Sequence, residues 1–175
     1  MAVAVRKNNG RTELSFSTAL APQAVFDYLS DFSRHSEWCR DIADMDPETE
    51  GDPDAGTRYR TTEAMREGSR MKSTTFCEIT ALDPPRFIEW KARTKQEKGP
   101  MAMRSYWAFR IEPEGAGCRV TQEYELQPPN KASRVMLFTF TRFADLIGGL
   151  GASPRNVHKH AEALEARLSE MAASA

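Results

Sequence analysis

Two polar side chains interrupt the apolar faces of predicted β-strands, and they are the first candidates for chemistry. Side chains two residues apart share a face of a strand. This puts Glu63 on the mostly apolar face of a predicted strand over Thr57–Met65, and Gln122 between Val120 and Tyr124. A carboxyl group buried without a partner has a raised pKa, and a positioned carboxyl group can act as a general acid or base. Glu63 is therefore the one acid that we nominate as a catalytic base.

Both residues also have a structural interpretation. Glu63 can lie at the rim of the sheet, where it reaches solvent or pairs with an arginine. Gln122 can be a core amide whose hydrogen bonds are satisfied. The sequence leaves these alternatives open.

The same alternation predicts the lining of a pocket, because small-molecule sites are mostly apolar with a few convergent polar groups. Thr75, Ser105 and Tyr124 could orient a carbonyl or hydroxyl group of a ligand. Trp90 and Trp107 could stack on a flat ligand together with Tyr124, and they can equally be ordinary core. The predicted ligand-binding residues are Tyr59, Glu63, Thr75, Trp90, Met103, Ser105, Trp107, Gln122 and Tyr124, with Phe143 from a later helix.

Sequence motifs for other chemistry are missing. The chain has no GxSxG nucleophile elbow, no phosphate loop ending in GK[ST] and no CxxC pair. His158 and His160 would point about 200° apart on a helix, so they cannot share a metal ion. The acidic run from Asp44 to Asp54 lacks the glycine and glutamate positions of an EF-hand. We therefore predict no metal site and no cofactor.

The elements that must position these residues begin with a strand that runs directly into a helix, Arg11–Phe32, in which Pro22 suits the first helical turn. A second short helix is predicted over Ser33–Arg40. A loop with at most one weak edge strand follows over Asp41–Gly56. Five strands joined by short turns then indicate an antiparallel meander: Thr57–Met65, Arg70–Leu82, Phe87–Thr94, Met101–Glu112 and Cys118–Gln127.

Two helical segments close the chain. A helix with an apolar stripe is predicted over Ser133–Ile147, and the glycines after it end that helix. Ser153 and Pro154 then indicate an N-cap and a first turn, so the last helix is expected over residues 153–172. Residues 133–150 are open to three interpretations: a lid over the pocket, a helix packed on the sheet, or a dimer contact. Residues 1–10 are expected to be flexible.

Four segments carry a resemblance to a known family: Ala21–Trp38, the Gly56–Thr57 strand entry, Glu78–Trp90 and His160–Met171. With the order of elements, they resemble the START-like (SRPBCC) superfamily, and within it the polyketide cyclase/dehydrase-like and coenzyme-Q-binding-like proteins. The resemblance implies an α+β helix-grip (START/Bet v 1-like) fold in one domain over residues 1–175. In that fold a curved antiparallel sheet wraps around a long C-terminal helix, with two short helices after the first strand. It also implies a hydrophobic cavity, without choosing among carriers, cyclases and receptors.

Composition narrows the function further. A chain of 175 residues that is 40% hydrophobic can bury a core in one domain. Its 24 basic and 25 acidic residues give no bias toward nucleic acid. The longest apolar stretch, Val135–Leu150, contains Arg142 and Asp145 and is unsuited to crossing a bilayer. The first ten residues lack the apolar core of a signal peptide. Three widely spaced cysteines are typical of free thiols, and we expect a cytoplasmic protein.

These observations favour the binding or transport of a small hydrophobic molecule, such as a lipid, a polyketide or an isoprenoid-like compound, without catalysis. The alternative is an enzyme of the polyketide cyclase/aromatase type, in which Glu63 would move protons for aldol closure and dehydration. A third hypothesis makes residues 133–150 a docking surface, for example in a homodimer.

Overall fold

In the part of the chain that the structure describes, eight β-strands form one antiparallel sheet. The computed structural model describes residues 3–8, 11–64, 72–95, 102–146 and 153–174. The strands are β1 (Ala4–Asn8), β2 (Arg11–Thr18), β3 (Ile42–Pro47), β4 (Arg58–Ala64), β5 (Lys72–Asp83), β6 (Phe87–Thr94), β7 (Arg104–Glu114) and β8 (Gly117–Leu126). Across the sheet the strands follow the order β1-β2-β8-β7-β6-β5-β4-β3, and the sheet is open and curved, as the resemblance implied.

Among the described residues, four helical elements accompany the sheet: α1 (Pro22–Ser30), a 3-10 helix (Phe32–Glu37), α2 (Lys131–Leu146) and α3 (Pro154–Ala173). Helix α1 starts with Pro22 in its first turn and has no side-chain cap. The 3-10 helix is capped by Asp31, whose carboxylate accepts the backbone N–H of Ser33. Helix α3 begins as predicted, because Ser153 accepts the N–H of Asn156 and proline occupies the first turn.

The core lies between the concave face of the sheet, α1 and the second half of α3. Leu164 and Leu168 of α3 are fully buried there, in the same hydrophobic cluster as Phe109 and Ile111 of β7. The sequence did not settle which residues of the first strand face inward. The structure buries Leu14, Phe16 and Thr18 of β2 on the inner side.

Two edge strands refine the expected order of elements. We expected residues 1–10 to be flexible. Within them, Ala4–Asn8 form strand β1, which pairs with β2 in an antiparallel ladder that puts Val5 opposite Leu14. The weak edge strand expected within Asp41–Gly56 is β3, which pairs with β4. The sheet is therefore longer by one strand at each edge than the five-strand meander and first strand alone.

Helix α2 turns apolar side chains toward solvent. Val135, Phe138 and Phe143 are 68%, 62% and 58% exposed, so these three side chains are not packed on the sheet. The structure confirms that this segment is helical, and the described part of the helix ends at Leu146. Among the helices in the described residues, none combines the length and apolar character needed to cross a membrane.

Candidate functional site

Three aromatic residues predicted to line a pocket form one row across the concave face. Trp90 of β6 lies opposite Trp107 of β7, which lies opposite Tyr124 of β8. The two indole rings are parallel within 6°, with centroids 6.1 Å apart, and the Trp107 and Tyr124 rings are 4.7 Å apart. The alternation of side chains along three neighbouring strands brings these residues together, as predicted.

Accessibility increases toward one end of this face. The antiparallel register puts the ends of β4, β6 and β8 at the same end of the sheet as the starts of β5 and β7. At that end, Glu63, Met103, Ser105 and Trp107 are half-buried. At the opposite end the inner side chains are closely packed, and the fully buried ones include Ile79, Ile88, Phe109, Ile111 and Val120. We call the accessible end the mouth of the concave face.

Gln122 is fully buried, with 0% exposure. On β8 it is the next inward-facing residue after Tyr124 in the direction away from the mouth. Its register partners on the two sides are Leu14 of β2 and Phe109 of β7, both apolar. Within the described parts of the chain, neither its amide nitrogen nor its amide oxygen has a hydrogen-bond partner. Since buried amides are nearly always satisfied, Gln122 does not behave as the satisfied core amide that the sequence allowed.

The other predicted polar groups on this face are already engaged. The indole N–H of Trp107 donates to Ser105 Oγ over 2.8 Å. The backbone N–H of Met103 donates to Thr94 Oγ1 over 3.0 Å. Thr75 is buried, and its side chain hydrogen-bonds to Glu63.

Tyr59 and Phe143 lie apart from this group. The Tyr59 ring stacks on Phe32 at 4.7 Å, near the start of β4. It borders a cleft of about 420 Å³ between α1, the 3-10 helix and β3, whose other lining residues are Asp27, Ser30, Asp31, Ser33, Met45, Pro47, Gly51 and Pro53. Phe143 is on the exposed side of α2 and does not line the concave face, because the helix turns its apolar stripe outward.

Glu63 belongs to a polar cluster at the mouth. The hydroxyl of Thr61 donates to Glu63 Oε1 over 3.0 Å. Burial raises the pKa of Glu63, and hydrogen bonds from Thr61 and Thr75 offset part of that rise. In the described part of the chain its donors are hydroxyl groups and not an arginine, so the ion-pair interpretation finds no support there.

Next to Glu63 lies a constellation that the sequence did not suggest. Cys39 Sγ is 3.5 Å from His160 Nδ1. The same sulfur is 3.8 Å from His160 Nε2, and that nitrogen is 3.2 Å from Asp41 Oδ2. The amide of Asn156, one turn before His160 on α3, also donates to Asp41 Oδ2. Asp41 directly precedes β3, whose first residue pairs with Glu63.

No local pattern could have revealed this cluster, because Cys39 and His160 are 121 residues apart in the sequence. The only local signal was the spacing of Cys39 and Asp41, two positions apart in a turn. Helix α3 must first pack against the sheet before its histidine meets them.

The acids around His160 decide its charge. Burial by itself lowers the pKa of an imidazole, but Cys39 and Asp41 outweigh burial and raise the pKa of His160 to about 10. His160 is therefore an imidazolium at neutral pH, and each of its ring nitrogens has an N–H to donate. Among the described residues, no group of three or more His, Cys, Asp or Glu side chains is arranged to hold a metal ion.

Known proteins place this chain in a family. Residues 10–146 match the family model described as polyketide cyclase / dehydrase and lipid transport. The chain belongs to this family. This confirms the resemblance drawn from the sequence and the helix-grip fold class that it implied. No curated protein sequence matches the chain.

Solved structures share the fold of this polyketide cyclase / dehydrase and lipid transport family member. Protein Ms6760 from Mycobacterium smegmatis aligns with a TM-score of 0.64 at 14% identity, covering 97% of this chain and 99% of that protein. A protein from Arthrobacter aurescens aligns with a TM-score of 0.68 at 13% identity, covering 97% and 93%. Ara h 8.0201 aligns with a TM-score of 0.58 at 11% identity, covering 94% and 98%. At these identities the likeness concerns the fold alone.

Proposed function

We propose that this protein binds a small hydrophobic molecule against the concave face of its sheet, with the polar end of the molecule directed at Gln122. The observation that carries the proposal is the buried Gln122 amide, which has no partner for either of its polar atoms in the described residues. Leaving such a group unpaired costs about 1–3 kcal/mol. A ligand with a carbonyl or hydroxyl group would recover that cost.

The surroundings of Gln122 support an apolar ligand. Tyr124 and Trp107 present aromatic surface beside it. Trp107 is itself half-buried, so the mouth end of the concave face is partly accessible to a ligand. Apolar contact contributes roughly 25 cal/mol for each Å² removed from water, before ordering costs. In this proposal, apolar burial supplies the affinity and Gln122 the orientation. The family description, which includes lipid transport, fits the same class of ligand.

Native mass spectrometry of the protein purified from its own host would test the proposal directly. An apolar molecule should leave with the folded protein and be released on unfolding. In a second assay, displacement of anilinonaphthalene sulfonate by palmitic acid can be followed by fluorescence. Trp107→Leu should weaken displacement at least about tenfold, whereas Phe87→Leu, on the other face of the sheet, serves as the matched control. Equal effects of both variants would count against a concave-face site.

A second candidate function, cyclisation of a polyketide in the same place, is favoured by one observation. Burial raises the pKa of Glu63, and a carboxyl group that retains its proton can deliver it to a carbonyl oxygen. Glu63→Gln should then abolish turnover of a poly-β-ketone thioester while anilinonaphthalene sulfonate binding persists. Turnover that survives this substitution would remove Glu63 from the mechanism.

Two further parts of the proposal concern location and assembly. We place the protein in the cytoplasm, where thiols stay reduced, and its three cysteines are free. The exposed side chains of α2, among them Val135 and Phe138, suit a contact with a second copy of the chain. Light scattering should then give a lower molar mass for the double variant Val135→Ser, Phe138→Ser than for the wild-type protein.

A further inference from the structure

Cys39, His160 and Asp41 form a chain of polar contacts that ligand binding does not require. The sulfur lies 3.5 Å from Nδ1 of His160, and Nε2 of the same ring lies 3.2 Å from Asp41 Oδ2. The order is a cysteine sulfur, an imidazole ring, and a carboxylate that orients the ring. Such an arrangement activates a nucleophile when the groups are within hydrogen-bond reach.

The orientation of His160 is fixed from two elements. Asp41 holds Nε2 from the segment before β3, and Asn156 on α3 donates to the same carboxylate oxygen. The ring is therefore held beside the sulfur, which lies 3.5 Å from Nδ1 and 3.8 Å from Nε2. A thiolate is the nucleophilic form of cysteine, and a neighbouring imidazolium stabilises it.

Access distinguishes Cys39 from the other two cysteines. Cys39 is half-buried, whereas Cys77 and Cys118 are buried. Burial raises the pKa of Cys77 to about 12 and that of Cys118 to about 11. Both therefore remain thiols at neutral pH, and they serve as internal controls for Cys39.

We propose that Cys39 is a nucleophilic thiol site that adds to α,β-unsaturated carbonyl compounds, with His160 as the proton donor and Asp41 as a positioning residue. This reaction needs a cysteine sulfur and a nearby proton donor, and Cys39 Sγ lies 3.5 Å from His160 Nδ1. Acyl transfer would also need donors aimed at an oxyanion. The amide of Asn156, the candidate donor beside His160, already donates to Asp41.

The bonds balance without a further reactant. The sulfur of Cys39 forms a bond to the β-carbon, and the carbon–carbon π bond breaks. The electron pair moves to the α-carbon, which takes the proton from His160 Nδ1. The neutral imidazole then regains a proton from solvent. The sum is the addition of one thiol S–H across one double bond, so no group leaves and nothing is oxidised.

The charged and titratable groups that face His160 come from three elements. Cys39 and Asp41 lie between the 3-10 helix and β3, Glu63 lies on β4, and Cys77 lies on β5 beside Glu63. Asp41 favours the imidazolium, and Glu63 adds to that effect when it is ionised. The imidazolium, and with it the reactivity of Cys39, should persist well below the pH at which an isolated thiol reacts.

The test uses the full chain and crotonaldehyde, with butyraldehyde as the saturated control. Intact-mass measurement after mild borohydride reduction should show a gain of one whole crotonaldehyde molecule plus two hydrogens, because borohydride reduces the aldehyde of the adduct to an alcohol, and peptide mapping should locate the adduct at Cys39. Butyraldehyde should leave that peptide unchanged. An imine on a lysine would instead lose water. Modification at other residues only, or none, would overturn the proposal.

The pH dependence tests the roles of His160 and Asp41. An ordinary thiol with a pKa of about 8.5 is ionised to well under about 1% at about pH 6. Wild-type Cys39 should therefore react at least about tenfold faster than glutathione at that pH. In His160→Gln and in Asp41→Asn the rate should fall to the glutathione value at about pH 6 and recover near pH 9. A wild-type profile that follows glutathione refutes the mechanism, whether or not the variants fold.

Discussion

His35 makes the protein sensitive to mild acid, because it is buried without a charge in the aromatic core. Its Nε2–H donates to the carbonyl oxygen of Leu29 over 2.9 Å, and its ring stacks on Phe32 with centroids 4.3 Å apart. Burial lowers the pKa of His35 to about 4, although the Leu29 carbonyl and Asp31 oppose that shift. Protonation would put an imidazolium among aromatic rings.

The sign and size of the effect follow from linkage. In the unfolded chain the pKa of a histidine is about 6.5, so between about pH 6.5 and 4 the unfolded state binds more protons. The stabilisation from the neutral ring is complete above this window and is lost as the pH falls through it. The two pKa values correspond to a loss of about 3 kcal/mol in full, and about 2 kcal/mol between pH 7 and 5.

His160 acts in the opposite direction, so a variant is needed to isolate His35. The raised pKa of His160 means that its contribution is greatest below about pH 6.5. His35→Gln keeps an N–H for the Leu29 carbonyl but cannot titrate. Urea unfolding followed by tryptophan fluorescence should show that wild type loses about 2 kcal/mol more than this variant between pH 7 and 5. Equal losses in the two proteins would refute the reasoning.

Three further perturbations have defined outcomes. Between pH 7 and 9 the wild type should lose about 2 kcal/mol of unfolding free energy that His160→Gln does not lose. The reason is that the stabilisation from protonated His160, whose pKa is raised to about 10, declines as the pH rises through that range. Equal losses in urea unfolding of the two proteins would contradict this. Gln122→Leu should raise the free energy of unfolding by about 1–2 kcal/mol, since it removes an unpartnered buried amide, and a lower urea midpoint would speak against a dry site. Gly117→Ala should lower stability by about 1–3 kcal/mol in thermal unfolding, because its Cβ would lie 2.0 Å from the Thr18 carbonyl oxygen; an unchanged Tm would be the contrary result.

The aromatic row could be predicted from the sequence because alternation along a strand determines the face. Trp90 and Trp107 each fall in an apolar phase of their own strand, and antiparallel pairing then puts them opposite each other. Alternation could not choose a side for the first strand, where small polar and apolar residues alternate. There the register with β8, which puts Leu14 beside Gln122, decides the matter.

Contacts across long separations could not be predicted in this way. The meeting of Cys39 with His160 depends on where α3 crosses the sheet, and no periodicity within α3 contains that information. The exposure of Phe138 and Phe143 has a similar cause. An apolar stripe on a helix indicates that something should cover it, but it does not say what covers it.

The two buried histidines locate the part of the fold where proton chemistry is possible. His35 and His160 are both withdrawn from water, yet the pKa of one is lowered and that of the other is raised. The difference lies in their neighbours, because His35 faces aromatic rings and a carbonyl, whereas His160 faces Cys39 and Asp41. Burial alone therefore makes a structural histidine, and burial beside acids makes one that holds a proton at neutral pH. Only the second kind can donate a proton to a bound molecule, and it lies at the mouth of the concave face, next to Glu63.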